Sequence, residues 1–307
     1  MSGPERVDPR SALPDRFGTR RVALGAVGVA VLAASTSAIL IRAGDAPEPV
    51  MAFYRVLFTI LLLAPLARGA GVELSRVSRR DLLGALLAGL ALAAHFAAWF
   101  ESVDRTTVAA SVTLVQTQPV FVAAGAGLLL SERVTRRTLG GIAVALCGAG
   151  LMSASGAFGG SPAPEPLLGN ALAVLGAVMA AVYVLAGRSI RQRVPVVPYV
   201  LVVYAVAAVG LLSAVLAGGH ALAGYPRHEW LLFLGMAVGP GLLGHTLINW
   251  ALEHVESSVV SVSLVGEPVG STLLAALLFG EIPGALALGG GTVVVAGIVV
   301  TARGRPG

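Results

Sequence analysis

Apolar residues along this chain fall into long, nearly unbroken runs, and polar residues gather in short clusters between them. Ten such runs can be marked, at residues 22–41, 49–67, 82–100, 106–130, 138–155, 168–187, 196–217, 229–250, 257–279 and 284–302. An α-helix rises 1.5 Å per residue, so about 20 apolar residues cross the roughly 30 Å hydrocarbon layer of a bilayer. The pattern therefore predicts an all-α membrane protein with ten transmembrane helices. The fourth and fifth runs are parted only by Ser131–Arg137.

Composition sharpens this reading. Of 307 residues, 56% are hydrophobic and 12% are charged, and the mean hydropathy is +0.85. A soluble domain carries about a quarter charged residues, which excludes that class here. The 39 glycines suit close helix–helix contact in lipid. The run from Val22 to Ile41 is longer than the apolar core of a signal peptide, about 7–15 residues. It reads as an uncleaved first span, preceded by a disordered cytoplasmic tail over residues 1–21.

Every basic residue is arginine, and the formal net charge is +5. The arginines sit at the ends of apolar runs, which favours membrane topology over a nucleic-acid partner. With the N-terminus inside, 17 of the 21 fall on cytoplasmic segments, and only Arg42, Arg105 and Arg227 fall outside. Arg55 lies within span two. The bias of arginine to the inner side predicts a multi-pass protein of the plasma membrane with both termini cytoplasmic. The inner loop between spans eight and nine breaks the trend, with Glu253, His254 and Glu256 and no Arg. Cys147 is the single cysteine, so neither an intrachain disulfide nor a cysteine metal site is available.

The second half echoes the first. The segment Leu114–Met152 resembles Leu264–Val300: Pro119 matches Pro268, Glu132 matches Glu281, and Gly140-Gly141 matches Gly289-Gly290. His95 stands 150 residues before His245. The repeats are expected at 22–155 (spans one to five) and 168–303 (spans six to ten), joined by a Pro/Gly-rich linker at 156–167. Five spans per copy, an odd number, turn the second copy upside down in the membrane. This is the inverted-repeat plan of many secondary transporters, with the cargo site near the midplane.

The span count, the double repeat, the matched Pro and Glu of spans four and nine, and "FYRVLFTILLLAPL" in span two resemble the EamA-type drug/metabolite transporters. The resemblance covers residues 22–302. It implies a single-chain carrier that moves a small polar metabolite or drug, more often outward, without a cofactor.

Candidate residues follow from cost. Glu267 is an acid deep in an apolar run, expensive unless it faces a cavity or a partner. It reads as a proton- or substrate-binding group, or as a structural carboxylate. Pro119 and Pro268 each remove a backbone N–H and free the carbonyl of Val115 or Leu264. They are candidate hinges, or plain kinks. Gln116 and Gln118 flank the first proline, with Gln118 in the place of Glu267. His95 and Trp99 share a helix face, as do His245 and Asn249, with Trp250 adjacent. These could line a substrate path, bond between helices, or, for Trp99, anchor at the interface. Arg55 could hold a substrate carboxylate, pair with an acid, or snorkel to the headgroups. Glu132 and Glu281 are expected to stabilise the N-termini of spans five and ten. The glycines of spans five and ten suggest a packing seam, open to the alternative of a homodimer contact. Neither an HxxxH nor an H-E-x-x-H pattern appears, so no metal site is expected. An intramembrane enzyme and a passive channel stay as alternatives, the first lacking a nucleophile–base motif and the second a continuous polar stripe. Proton coupling would suit a chain with no ATPase motif.

Overall fold

The computed structural model of the chain describes residues 16–69, 77–106, 108–157, 165–280 and 284–303. The described residues are helical, with short connections. The helices are α1 (Arg16–Arg42), α2 (Glu48–Gly69), α3 (Arg79–Arg105), α4 (Val108–Val115), α5 (Gln118–Leu129), α6 (Arg136–Ala157) and α7 (Pro166–Ile190). The second half adds α8 (Val196–Ala217), α9 (Arg227–Met236), a π-helical segment (Ala237–Thr246), α10 (Leu247–Ala251), α11 (Ser257–Leu264), α12 (Glu267–Phe279) and α13 (Ala285–Arg303). Each apolar run of the sequence lies on helix. Among the described residues, eight helices are long and apolar enough to cross a membrane, and Thr113–Leu129 forms a shorter apolar stretch.

Helix α1 begins at Arg16, inside the segment expected to be a disordered tail; residues 1–15 lie outside the described residues, as do Glu281 and Pro283. Local chemistry explains several boundaries. Ser78 caps α3, its Oγ accepting the Asp81 N–H at 3.1 Å. Pro166 opens α7 where a missing N–H is harmless.

Helix α3 packs along α7 and α8, α2 along α8, and α1 along the π-helical segment, α10 and α12. Helices α4 and α5 lie on α7, α11 lies on α5, and α6 runs against α13. The largest buried cluster gathers around α2, α3, α7, α8 and α9. The α6–α13 contact is built from glycine. A Cβ on Gly148 would come within 2.6 Å of the Gly290 carbonyl, and one on Gly290 within 2.8 Å of the Gly148 carbonyl. Gly141 and Gly297 meet in the same way. These four glycines thus form a seam inside one chain rather than between protomers, the backbones approaching as small-residue packing allows.

Candidate functional site

The structure reads the two prolines differently from a kinked helix. Span four is two helices, α4 and α5, joined by a tight turn at Gln116–Thr117; span nine is α11 and α12, joined at Val265–Gly266. In the turns, Thr117 N–H donates to Leu114 O at 3.0 Å and Gly266 N–H to Ser263 O at 2.9 Å. Pro119 and Pro268 are each the second residue of a new helix, where a proline has no hydrogen bond to lose. Glu267 and Gln118 are the first residues of α12 and α5. A helix N-terminus carries partial positive charge and unpaired N–H groups, so a carboxylate is favoured there even at depth. The broken helix answers for both costs at once. Helix α1 supports the break: Ser35 Oγ donates to Glu267 O at 3.1 Å, and Ser271 Oγ donates to Ser35 O at 3.0 Å.

The π-helical segment had no counterpart in the sequence reading. It holds Pro240 among glycines 239, 241 and 244. Thr59 Oγ1 donates to Ala237 O at 3.2 Å, and Thr246 Oγ1 to Gly241 O at 3.3 Å, serving carbonyls of the widened coil. Such segments occur often at functional sites.

Between these elements lies a cavity of about 380 Å³. Arg55, His95, Trp99, Gln116 and Gln118 line it from the first half; Tyr183, Pro240, His245, Glu267 and Pro268 line it from the second. Arg55 and Glu267 are the two charged residues in its wall. Arg55 is buried, its guanidinium 4.4 Å from the Phe96 ring centroid, with one long hydrogen bond of 3.3 Å to Ser37 Oγ. Among the described residues no carboxylate forms an ion pair with it. His95 Nδ1 donates to Gly176 O at 2.9 Å, which fixes the ring in near-parallel contact with Trp99. Trp99 Nε1 and His245 Nδ1 are buried without a hydrogen-bond partner among the described residues. Buried polar atoms are rarely left so.

Asn249, expected on the path, stands one layer behind it: its Nδ2 donates to the Tyr183 hydroxyl and to His245 O, at 2.7 Å for the latter. Trp250 faces elsewhere, its ring 4.9 Å from His254 beside a second hollow lined by Arg191 and Glu253. Pro119 is buried beneath the cavity wall rather than in it. Sequence reasoning missed Tyr183, Ser37 and Ser271. A buried-side tyrosine at helical spacing on α7 gave no signal apart from its apolar neighbours.

Beyond Asn249 a polar chain runs to one end of the bundle. Arg191 Nε donates to Asn249 O at 3.0 Å, and the guanidinium also bonds Val194 O and the Glu253 carboxylate. Burial works to lower the Arg191 pKa, and Glu253 opposes that shift. Arg188 donates to Leu252 O at 2.8 Å and to Glu132 Oε1 at 2.7 Å. Glu132 also accepts from Ser257, at 3.2 Å from the N–H and 2.7 Å from Oγ. Glu132 therefore caps α11, from the other half of the molecule, and not the α6 helix that follows it in sequence. Arg20 pairs with Glu256 at 3.0 Å. The arginine-free connection between α10 and α11 is in this way supplied with arginines by its neighbours.

Comparison with known proteins fits this architecture. A pseudopaline exporter, CntI, of Pseudomonas aeruginosa is 28% identical over 284 residues, spanning 91% of this chain and 96% of its own. An uncharacterized transporter of Archaeoglobus fulgidus is 25% identical over 291 residues, spanning 94% and 97%. A solved crystal structure shares the fold with a TM-score of 0.78 at 22% identity, covering 92% of this chain and 96% of that one. The EamA-like transporter family matches twice, over residues 21–154 and 167–303. With both halves matched and its helices built to span a bilayer, this chain belongs to the EamA-like transporter family and is a multi-pass membrane transporter.

Proposed function

We propose that the chain exports a small polar metabolite or drug by alternating access around the cavity between its halves. Glu267 binds a proton or a cationic group of the cargo, and Arg55 holds an anionic group. The observation that carries this reading is the composition of the cavity wall: one cation, one anion and two buried ring nitrogens without a partner among the described residues, contributed by both halves. A site of that kind between repeats suits a carrier, and a half-helix N-terminus beside it suits an anion or a titrating acid. Export is supported by the Pseudomonas relative, a pseudopaline exporter.

The same reading counts ten spans, adding the α4–α5 pair and α6 to the eight long helices. It relates the halves by inversion. Helix pairs come in matched sets that support this: α3 on α7 answers the α9-to-α10 span on α1, and α4–α5 on α7 answers α11–α12 on α1. Helices α2 and α8, and α6 and α13, pair with their own counterparts, and spans four and nine meet through α5 and α11. The turns at Gln116–Thr117 and Val265–Gly266 serve as hinges. Both termini lie in the cytoplasm, following the arginines.

The test is metabolite efflux. Cells producing the wild type or Glu267→Gln are compared by mass spectrometry of the medium, with membrane levels matched. Enrichment of a polar metabolite by the wild type, lost in the variant, is the expected result. Equal enrichment by both removes Glu267 from the coupling. Ion currents through reconstituted protein, without saturable counterflow, overturn alternating access.

A further inference from the structure

Away from the cavity, one cluster of metal-ligating side chains plays no part in the reading above. Asp45 lies in the connection between α1 and α2, and His228 and Glu229 lie in the first turn of α9. One ligand atom from each can be chosen so that all three lie within 4.8 Å of one another. Asp45 and His228 face solvent, whereas Glu229 is 1% exposed.

Glu229 is unusual for a buried acid. Its Oε1 accepts the Asp45 N–H at 2.6 Å and stands 3.2 Å from His228 Nε2. Its Oε2 is buried with no hydrogen-bond partner among the described residues. That oxygen lies against Gly44, where a Cβ would approach to 2.9 Å, so the backbone has come in close beside the carboxylate. The one ionic partner found for Glu229 among the described residues is His228, which is a cation only when protonated. An ionised carboxylate buried this way is strongly unfavourable unless a cation compensates it.

We propose that Asp45, His228 and Glu229 bind a divalent transition-metal ion of the zinc class. One imidazole and two carboxylates make a mixed nitrogen–oxygen set, which suits zinc and its neighbours, whereas calcium takes 6–8 oxygens. Three protein ligands leave the fourth tetrahedral position open to water. Ligand atoms about 2.0–2.1 Å from a tetrahedral ion lie about 3.3 Å apart. His228 Nε2 and Glu229 Oε1 already stand at 3.2 Å. The ion sits between them and neutralises the buried acid. Asp45, exposed and on a short connection, closes the remaining distance by a rotamer change, while its N–H keeps Glu229 oriented. Helix α1 carries Ser37 and Ile41 of the cavity wall just before this connection, so a bound ion ties that helix end to α9.

The experiment uses the full chain in detergent, free of any affinity tag and stripped with a chelator. Zn²⁺ is titrated by calorimetry, and Co²⁺ by its visible absorption. The wild type is expected to bind one ion per chain, to show the intense bands of a tetrahedral cobalt site, and to melt at a higher temperature as Zn²⁺ rises. His228→Ala and Asp45→Asn, both at exposed positions, should melt like the wild type without metal. Each should weaken binding by more than about tenfold, the least that loss of even a supporting partner costs a metal site. No binding by folded wild type, or undiminished binding by both variants, overturns the proposal.

Discussion

Truncation of Glu132 should loosen the joint between the two halves. Its carboxylate accepts three short contacts from the other half: Arg188 Nε at 2.7 Å, Ser257 Oγ at 2.7 Å and Ser257 N–H at 3.2 Å. The Glu132 and Arg188 side chains are only 11% and 20% exposed, so water screens the pair weakly. A hydrogen bond to a charged group contributes about 1.5–3 kcal/mol, and loss of a helix cap costs about 0.5–2 kcal/mol. The contacts share one carboxylate and are not additive. Glu132→Ala should therefore cost about 3 kcal/mol, roughly two powers of ten in the unfolding equilibrium. Ser257→Ala should cost about 1 kcal/mol, because the backbone N–H still reaches the acid. Reversible unfolding of the purified protein in mixed micelles reads these values. A double-mutant cycle with Arg188→Ala isolates the ion pair, with an expected coupling of about 1–2 kcal/mol. A coupling indistinguishable from zero, with Glu132→Ala as stable as the wild type, would refute the idea that this acid holds the halves together.

Other substitutions probe the remaining features. Gly148→Val should drive a side chain into the Gly290 carbonyl and destabilise the α6–α13 pair by about 1–3 kcal/mol or more, read as a lower melting temperature. Arg55→Lys keeps the charge but loses the planar contact with Phe96, and should raise the KM for efflux while the protein still folds. Trp99→Phe removes a partnerless N–H from the cavity wall and should weaken cargo binding, whereas Trp250→Phe, outside the cavity, should leave KM unchanged in the same vesicle assay.

Much of the architecture was legible because membrane helices announce themselves locally. Length and apolarity placed the apolar runs on helices but not the breaks within them, and the echo of Pro119 in Pro268 exposed the repeat. Glu267 stood out because an acid within an apolar run is costly unless a cavity or a partner meets it. What the pattern could not carry was anything decided across the bundle. A proline within an apolar run looks the same whether it kinks one helix or starts another. The widened coil at Ala237–Thr246 depends on Thr59, far away in sequence, to serve its carbonyls. Glu132 looked like a cap for the helix beside it and proved to cap α11, because the nearest N-terminus in space belongs to the other half. Trp250 shared a stretch with His245 but points to a different face.

The arginine-free connection between α10 and α11 bears on how the chain enters the membrane. Its acids and carbonyls are met by Arg20, Arg188 and Arg191, all from segments made earlier. At the moment of synthesis the hairpin of α9 to α12 has no positive charge of its own to hold its tip on the cytoplasmic side of the proposed topology. Orientation of that hairpin is then set by the helices already inserted, and the ionic contacts lock it only afterwards. A fragment beginning after α8 would lack both the earlier helices and their arginines, and on the cytoplasmic side would keep only Arg303 and Arg305, beyond the last span, to set which way up it sits.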